Sequence, residues 1–149
     1  MFKRILCATD FSKASYEAVN TANRLAKVCN AELILLHVAV PVAPLPEVTE
    51  MTRFDFEAYE KAWRESAERK LKELVTTAVD KDVAVRPIVL GGLAAQTIDQ
   101  CAENEKVDLI VIATHGMTGW RHYLMGSVAQ KVIQNTCFPV LVVRGPKGK

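Results

Sequence analysis

Three glycines and a serine carry the clearest chemical signal in this chain of 149 residues. Gly116 and Gly119 come just after the apolar run Leu109-Ile110-Val111-Ile112-Ala113, and Gly126-Ser127 precedes Val128-Ala129-Gln130-Lys131-Val132-Ile133. An unbroken apolar run of this kind reads as a strand buried on both faces. Glycines after it lack a Cβ, so the backbone can turn there and approach a ligand closely. A helix opened by Gly126-Ser127 begins with amides that have no intrahelical partner. Those amides and the helix dipole suit a phosphate. Strand, glycine loop and helix start are the parts of a nucleotide phosphate cradle. No Gly-Lys-Ser/Thr triplet follows, so it is not a P-loop, and it contains no G-x-G-x-x-G fingerprint. The same residues also fit a plain turn, with Ser127 and Gln130 as a capping box that needs no ligand.

Other side chains add reactive groups. Asp10 ends an earlier apolar run. It fits a carboxylate that takes ribose hydroxyls or holds a metal on phosphates, and it equally fits a cap for the next helix. In the loop, His115 has the chemistry of a general base and Arg121 that of a phosphate partner. A loop in water carries polar side chains in any case, and that is the better reading of His122. His37 lies within an apolar strand and reads as a core histidine with its hydrogen bonds satisfied. Trp120 and Tyr123 either pack the loop down or cover a ligand.

The elements that must position these groups alternate regularly. A strand over Lys3 to Ala8 leads through the turn Thr9-Asp10-Phe11-Ser12, with Asp10 and Ser12 as candidate caps. A helix from Lys13 to about Cys29 follows, its stripe being Ala14, Ala18, Ala22, Leu25 and Ala26. The next strand is Leu33 to Val38. Pro41, Pro44 and Pro46 then enforce a loop. Thr52 with Asp55 opens a helix running from Arg53 to about Asp80, with Phe54, Ala58, Ala62, Leu71, Leu74, Val75 and Ala78 near one face. The third strand is Val83 to Leu90. Pro87 within it cannot donate to a ladder, which makes it an edge strand. Gly91-Gly92 ends it, a helix covers Ala94 to Glu105, and the last strand is Pro139 to Val143. The alternation β-α-β-α-β-α-β-α-β with apolar strands indicates a parallel sheet with helices on both faces.

Composition narrows the function classes. Half of the residues are hydrophobic and 24% are charged, as in a globular domain. Nineteen basic against seventeen acidic residues give a net charge of +2, too near balance to indicate nucleic-acid binding. Cys7, Cys29, Cys101 and Cys137 form no C-x-x-C pair, which argues against a zinc knuckle and for a reducing, cytoplasmic setting. Cys7 reads as a buried apolar filler. The N-terminus enters a strand directly, without a signal-peptide apolar region, and no apolar run reaches membrane-spanning length. Arg144 to Lys149 reads as a frayed basic tail.

The glycine spacing resembles that of the universal stress protein family, in the branch that binds ATP. That branch carries Gly-x-x-Gly, nine residues, then Gly-Ser or Gly-Thr. Here Ala113-Thr114-His115-Gly116 is followed by nine residues, Met117 to Met125, and then Gly126-Ser127. Ala113 stands in place of the first glycine, and Ala8 where the family often has proline. The likeness extends through Ile5-Leu6-Cys7-Ala8-Thr9-Asp10-Phe11-Ser12 and Pro139-Val140-Leu141-Val142-Val143, and so covers essentially the whole chain as one domain. It implies a doubly wound, Rossmann-like α/β fold with a five-stranded parallel sheet in the order 3-2-1-4-5. The edge position of the Pro87 strand agrees with that order. The switch point then falls between Ala8-Thr9-Asp10 and Ala113-Thr114-His115-Gly116, where such sheets bind ligands.

By the same resemblance, Ala8 and Thr9 flank a nucleoside, Asp10 meets the ribose or a metal, and Val38 offers main-chain groups to the adenine edge. Ile112 and Ala113 line the nucleoside. Gly116, Gly126, Ser127 and Val128 surround the phosphates, with His115 and Arg121 nearby. The expected ligand is ATP with Mg²⁺ or Mn²⁺, acting as a regulatory ligand that changes the loop from Met117 to Met125. Family members commonly dimerise through the last strand, Val140 to Val143, an apolar edge suited to a second copy. No nucleophile–base pair is evident, so any hydrolysis or self-phosphorylation is expected to be slow. The rival readings are a true nucleotide-hydrolysing or adenylyl-transferring enzyme and a nucleotide-free interaction protein. Ala113 is the motif feature that favours the last.

Overall fold

Alternate side chains of β1 (Arg4–Ala8) leave the sheet on opposite sides, and each side meets its own pair of helices. The computed structural model describes residues 1–40, 55–114 and 126–146. After β1 come α1 (Lys13–Cys29), β2 (Glu32–Ala39), α2 (Phe56–Ala78), β3 (Val85–Gly91), α3 (Ala94–Glu105), β4 (Leu109–Ala113), α4 (Ser127–Asn135) and β5 (Val140–Val143). The five strands pair in parallel in the order β3-β2-β1-β4-β5. Ile5 and Cys7 join Leu33, Leu35, Leu109 and Val111 under α1 and α2. Leu6 and Ala8 join Ile34, Leu36, Ile110 and Ile112 under α3 and α4. Strands covered on both faces need apolar residues at every position, which is why these runs are unbroken. Burial pushes the Cys7 thiol up to about 12, so it stays protonated and apolar.

Local chemistry sets the boundaries. Ser12 caps α1, its side chain accepting from the Ser15 amide. Asn30 ends α1 in the left-handed conformation at φ 52°, which asparagine tolerates, and its N–H returns to Ala26 and Lys27. The start of α2 differs from the sequence expectation. Asp55 is the cap, accepting from Ala58 N–H, and the helix begins at Phe56 rather than Arg53. Thr52, Arg53, Phe54 and the prolines from Pro41 to Pro46 lie outside the described residues. The expected stripe of α2 holds from Leu71 onward and fails before it. Ala67, Leu71 and Leu74 are buried, whereas Ala58 and Ala62 are exposed. Val75 and Ala78 are partly buried against the same cluster.

The strand with Pro87 is at the edge, as the missing amide requires, and begins at Val85 rather than Val83. Gly92, with φ 138°, turns the chain into α3. A Cβ there would stand 2.6 Å from Thr97 Oγ1. Ser127 and Gln130 do not form a capping box. Gly126 is the cap residue of α4 and Ser127 is the first helical position. The tail is not wholly frayed either. Gly145 lies so close on α1 that a Cβ would sit 2.7 Å from that of Ala14.

At the amino end of the sheet, Asp108 Oδ2 accepts from the amides of Lys3 and Arg4 at 2.6 and 2.8 Å. The Arg4 and Lys3 amides hold its carboxyl below the usual range. A depressed folded value means that this stabilisation is present above the unfolded value, near pH 4, and is lost as pH falls through the folded one. Asp108→Asn is expected to cost about 1 kcal/mol at pH 7, a figure reduced for water access. The gap between wild type and variant in urea unfolding should close on acidification below about pH 4. A gap that persists at low pH would mean that the carboxylate charge plays no part.

Candidate functional site at the sheet switch point

Pairing between β1 and β4 covers Ile5 to Cys7 against Leu109 to Val111 and then stops. On their outer sides both strands continue. Ala8 pairs with Leu36 and Thr9 N–H donates to Leu36 O, while Ala113 pairs with Val143 and Thr114 N–H donates to Val143 O. The two strands therefore part at their carboxyl ends, opening a crevice at the switch point. Ala8 and Thr9 are buried on one side of it. Ile112 is buried and Ala113 half-buried on the other.

The turn after β1 is tied by its own hydroxyls. Thr9 Oγ1 lies 3.0 Å from Ser15 Oγ and accepts from the Phe11 amide at 3.1 Å. Asp10 is half-buried, and its Oδ1 accepts from the Ser12 amide at 3.0 Å. That bond fixes the carboxylate at the mouth of the crevice, so the cap and ligand readings of Asp10 are compatible: Ser12 caps the helix and Asp10 braces the turn. Phe11 holds φ 64°, a left-handed conformation costly for an aromatic residue.

Across the crevice, Gly126 N–H donates to Thr114 O, joining the two ends of segment 115–125. The first turn of α4 has no side-chain cap, and its first intrahelical donor is Gln130. Among the described residues the amides of Ser127, Val128 and Ala129 have no partner, and Ser127 and Val128 are exposed. Val38, half-buried on β2, completes the set. Leu36 O faces β1, where it accepts from Thr9 N–H, and residues two apart on a strand face the same neighbour, so Val38's main-chain groups also point to the β1 side. Among the described residues no main-chain bond joins them to β1.

Nine of the expected site residues thus come together around the crevice: Ala8, Thr9, Asp10, Val38, Ile112, Ala113, Gly126, Ser127 and Val128. His115, Gly116 and Arg121, with Gly119, Trp120, His122 and Tyr123, lie outside the described residues. Among the described residues no three His, Cys, Asp or Glu side chains converge on a metal. A cation at Asp10 would take its other ligands from phosphate and water. The sequence reading missed Ser15, whose hydroxyl reaches Thr9, although the spacing Ser12-x-x-Ser15 at a helix start was a usable sign. It also missed the bond from His37 to Thr9 O, which only the fold creates.

A five-stranded parallel sheet in this order, with helices on both faces and its central strands parting at their carboxyl ends, defines a doubly wound α/β protein. The model of the Universal stress protein family matches residues 1–144, and the chain belongs to that family. Universal stress protein MJ0531 of Methanocaldococcus jannaschii is 37% identical over 147 residues, covering 99% of this chain and 85% of its own. The solved structure of MJ0577, from the same organism, superposes with a TM-score of 0.85 at 30% identity, covering 99% of both chains. A universal stress protein solved in complex with cAMP matches at TM-score 0.65 and 24% identity, over 97% of this chain and 99% of that one.

Proposed function

We propose that this protein binds ATP at the switch point and that the nucleotide is a regulatory ligand. The observation that carries the reading is the uncapped start of α4 opposite Asp10, across the gap where β1 and β4 part. The amides of Ser127, Val128 and Ala129, which have no partner among the described residues, and the helix dipole would receive phosphates. Asp10 would take the ribose hydroxyls, or a Mg²⁺ or Mn²⁺ carried on the phosphates. Val38's main chain would meet the adenine edge, with Ala8, Thr9, Ile112 and Ala113 against the nucleoside. His115, Gly116 and Arg121 would close the phosphate side, with Gly126, Ser127 and Val128 beneath. The cAMP complex of a family member supports an adenine nucleotide as the ligand class.

The residues at hand favour binding over rapid turnover, since Asp10 is the one carboxylate the described residues bring to the crevice mouth. A cytoplasmic setting belongs to the same proposal. All four cysteines are free, and no helix of the described residues is long and apolar enough to cross a membrane. So does a homodimer through β5, whose four apolar residues are only half-buried at the sheet margin. A monomer mass at micromolar concentration would remove the dimer.

The test begins with protein purified without added nucleotide, then denatured, its supernatant separated with mass detection. Near-stoichiometric ATP or ADP is the expected result, and the ratio of the two reports turnover. Protein that emerges empty and shows no thermal shift with Mg-ATP would end the proposal. Saturation at 100 times Kd should add about 2.7 kcal/mol.

A further inference from the structure

The ladder between β1 and β2 ends in an unusual way. Register Ala8↔Leu36 and the bond from Thr9 N–H to Leu36 O set up one more step, in which Val38 N–H would donate to Thr9 O. His37 takes that carbonyl instead, with Nδ1 2.9 Å from Thr9 O. A carbonyl only accepts, so Nδ1 carries the proton. The imidazole lies against the Phe11 ring, centroids 4.5 Å apart, and 6.3 Å from the Trp63 ring of α2. Lys70 of α2 stands 5.9 Å over the other ring of the pair, Phe11. Phe11 is the residue held at φ 64°. A left-handed aromatic residue persists only where its surroundings over-determine it. Here the Thr9 hydroxyl, the His37 imidazole and α2 do so.

We propose that His37 is a positioning residue for adenine recognition: its Nδ1–H draws the Thr9 carbonyl toward the ring and out of line with Val38 N–H, so the β1–β2 ladder stops one step early, leaving Val38's main-chain groups for the adenine edge and holding the turn that aims Asp10. The inference rests on the nucleotide reading above and adds the source of its base selectivity. Without the imidazole donor, Val38 N–H is free to pair with Thr9 O. The ladder zips one step further, the amide is lost to the ligand, and the Thr9–Ser12 turn shifts.

The test compares wild type, His37→Phe and His37→Asn, each titrated with Mg-ATP and with Mg-ITP, whose six-position carbonyl replaces the adenine amino group. His37→Phe keeps a ring against Phe11 but has no donor. His37→Asn loses the ring but places an amide nitrogen near the Nδ1 position. Expected for His37→Phe is about a tenfold loss of ATP affinity, equal to about 1.4 kcal/mol, with a matching loss of preference for ATP over ITP. His37→Asn should keep the preference within about threefold of wild type, on the scale of one neutral hydrogen bond. Melting temperatures, read separately, report packing alone. Wild-type affinity and preference in His37→Phe would overturn the inference and leave the nucleotide reading standing. Equal losses in both variants would also overturn it, assigning His37 to packing. A wild type that binds neither nucleotide would remove both. If His37→Phe does not fold, His37→Asn decides alone: retained preference supports the inference and lost preference overturns it.

Discussion

Asp10→Asn should weaken ATP binding by roughly 30- to 100-fold, the scale of charged hydrogen bonds to ribose or of one metal arm. The melting temperature should stay within a few degrees of wild type. Asparagine keeps the Oδ1 acceptor that takes the Ser12 amide, so the turn survives while the charge goes. That makes it a cleaner change than alanine, which would loosen the turn as well. Repeating the titration with and without Mg²⁺ separates the two roles of the carboxylate. If Asp10 accepts from ribose, the loss is the same in both conditions. If it holds the cation, the loss appears only with Mg²⁺. An Asp10→Asn protein that binds Mg-ATP as wild type does would place the ligand elsewhere.

The largest expected loss of stability comes from Leu36→Ala. Leu36 is fully buried in the second strand, inside the cluster that α3 and α4 cover, and its carbonyl receives the Thr9 amide. Removing its side chain in a close-packed core costs about 2–5 kcal/mol, because the backbone pairing on both sides keeps the cavity from collapsing. For a chain of this size that lowers the melting temperature by roughly 6–15 °C. Leu36→Met should cost less than about 1.5 kcal/mol, since it preserves volume. If calorimetry showed similar small losses for both, the core around Leu36 would be far less tightly packed than its burial implies.

The fold was legible because its strongest rules are local and redundant. Short apolar runs without alternation, bounded by turn residues, fit strands covered on both faces, and Pro87 alone excludes its strand from the interior of the sheet. The placement of Asp10 and of the helix start at Gly126-Ser127 at the same end of the sheet was legible for a similar reason. Glycines, one carboxylate and a helix start are short-range features, and topology brings their two halves together. What the sequence did not disclose depends on partners far along the chain. The imidazole of His37 finds Thr9 O 28 residues away, and no spacing rule encodes that pair. The left-handed Phe11 was equally hidden, since glycine or asparagine is the usual sign of such a conformation. Arg86, placed mid-strand beside Pro87, was passed over. It is an edge cation bridging Glu32 and Glu105 at 3.0 and 2.5 Å, which an exposed margin permits and a central strand would not. The start of α2 was misplaced because Thr52 and Asp55 both suit a cap, and only the bond to Ala58 chooses between them.

Pro87 also bears on how a dimer through β5, as proposed above, would end. The sheet has two margins of unlike character, β3 with its missing donor and β5 with four apolar residues and no proline. Two copies that meet through β5 about a twofold axis would bury the sticky margin and show a Pro87 strand at each outer end. Such an arrangement terminates itself, because neither exposed end has a complete row of donors to offer a third chain. The same four valine and leucine side chains with a second open margin would permit chain after chain to add, the geometry of a fibre. In a dimer of that kind, the ring-closed nitrogen of Pro87 at the far side of the sheet would separate a counted assembly from an unbounded one.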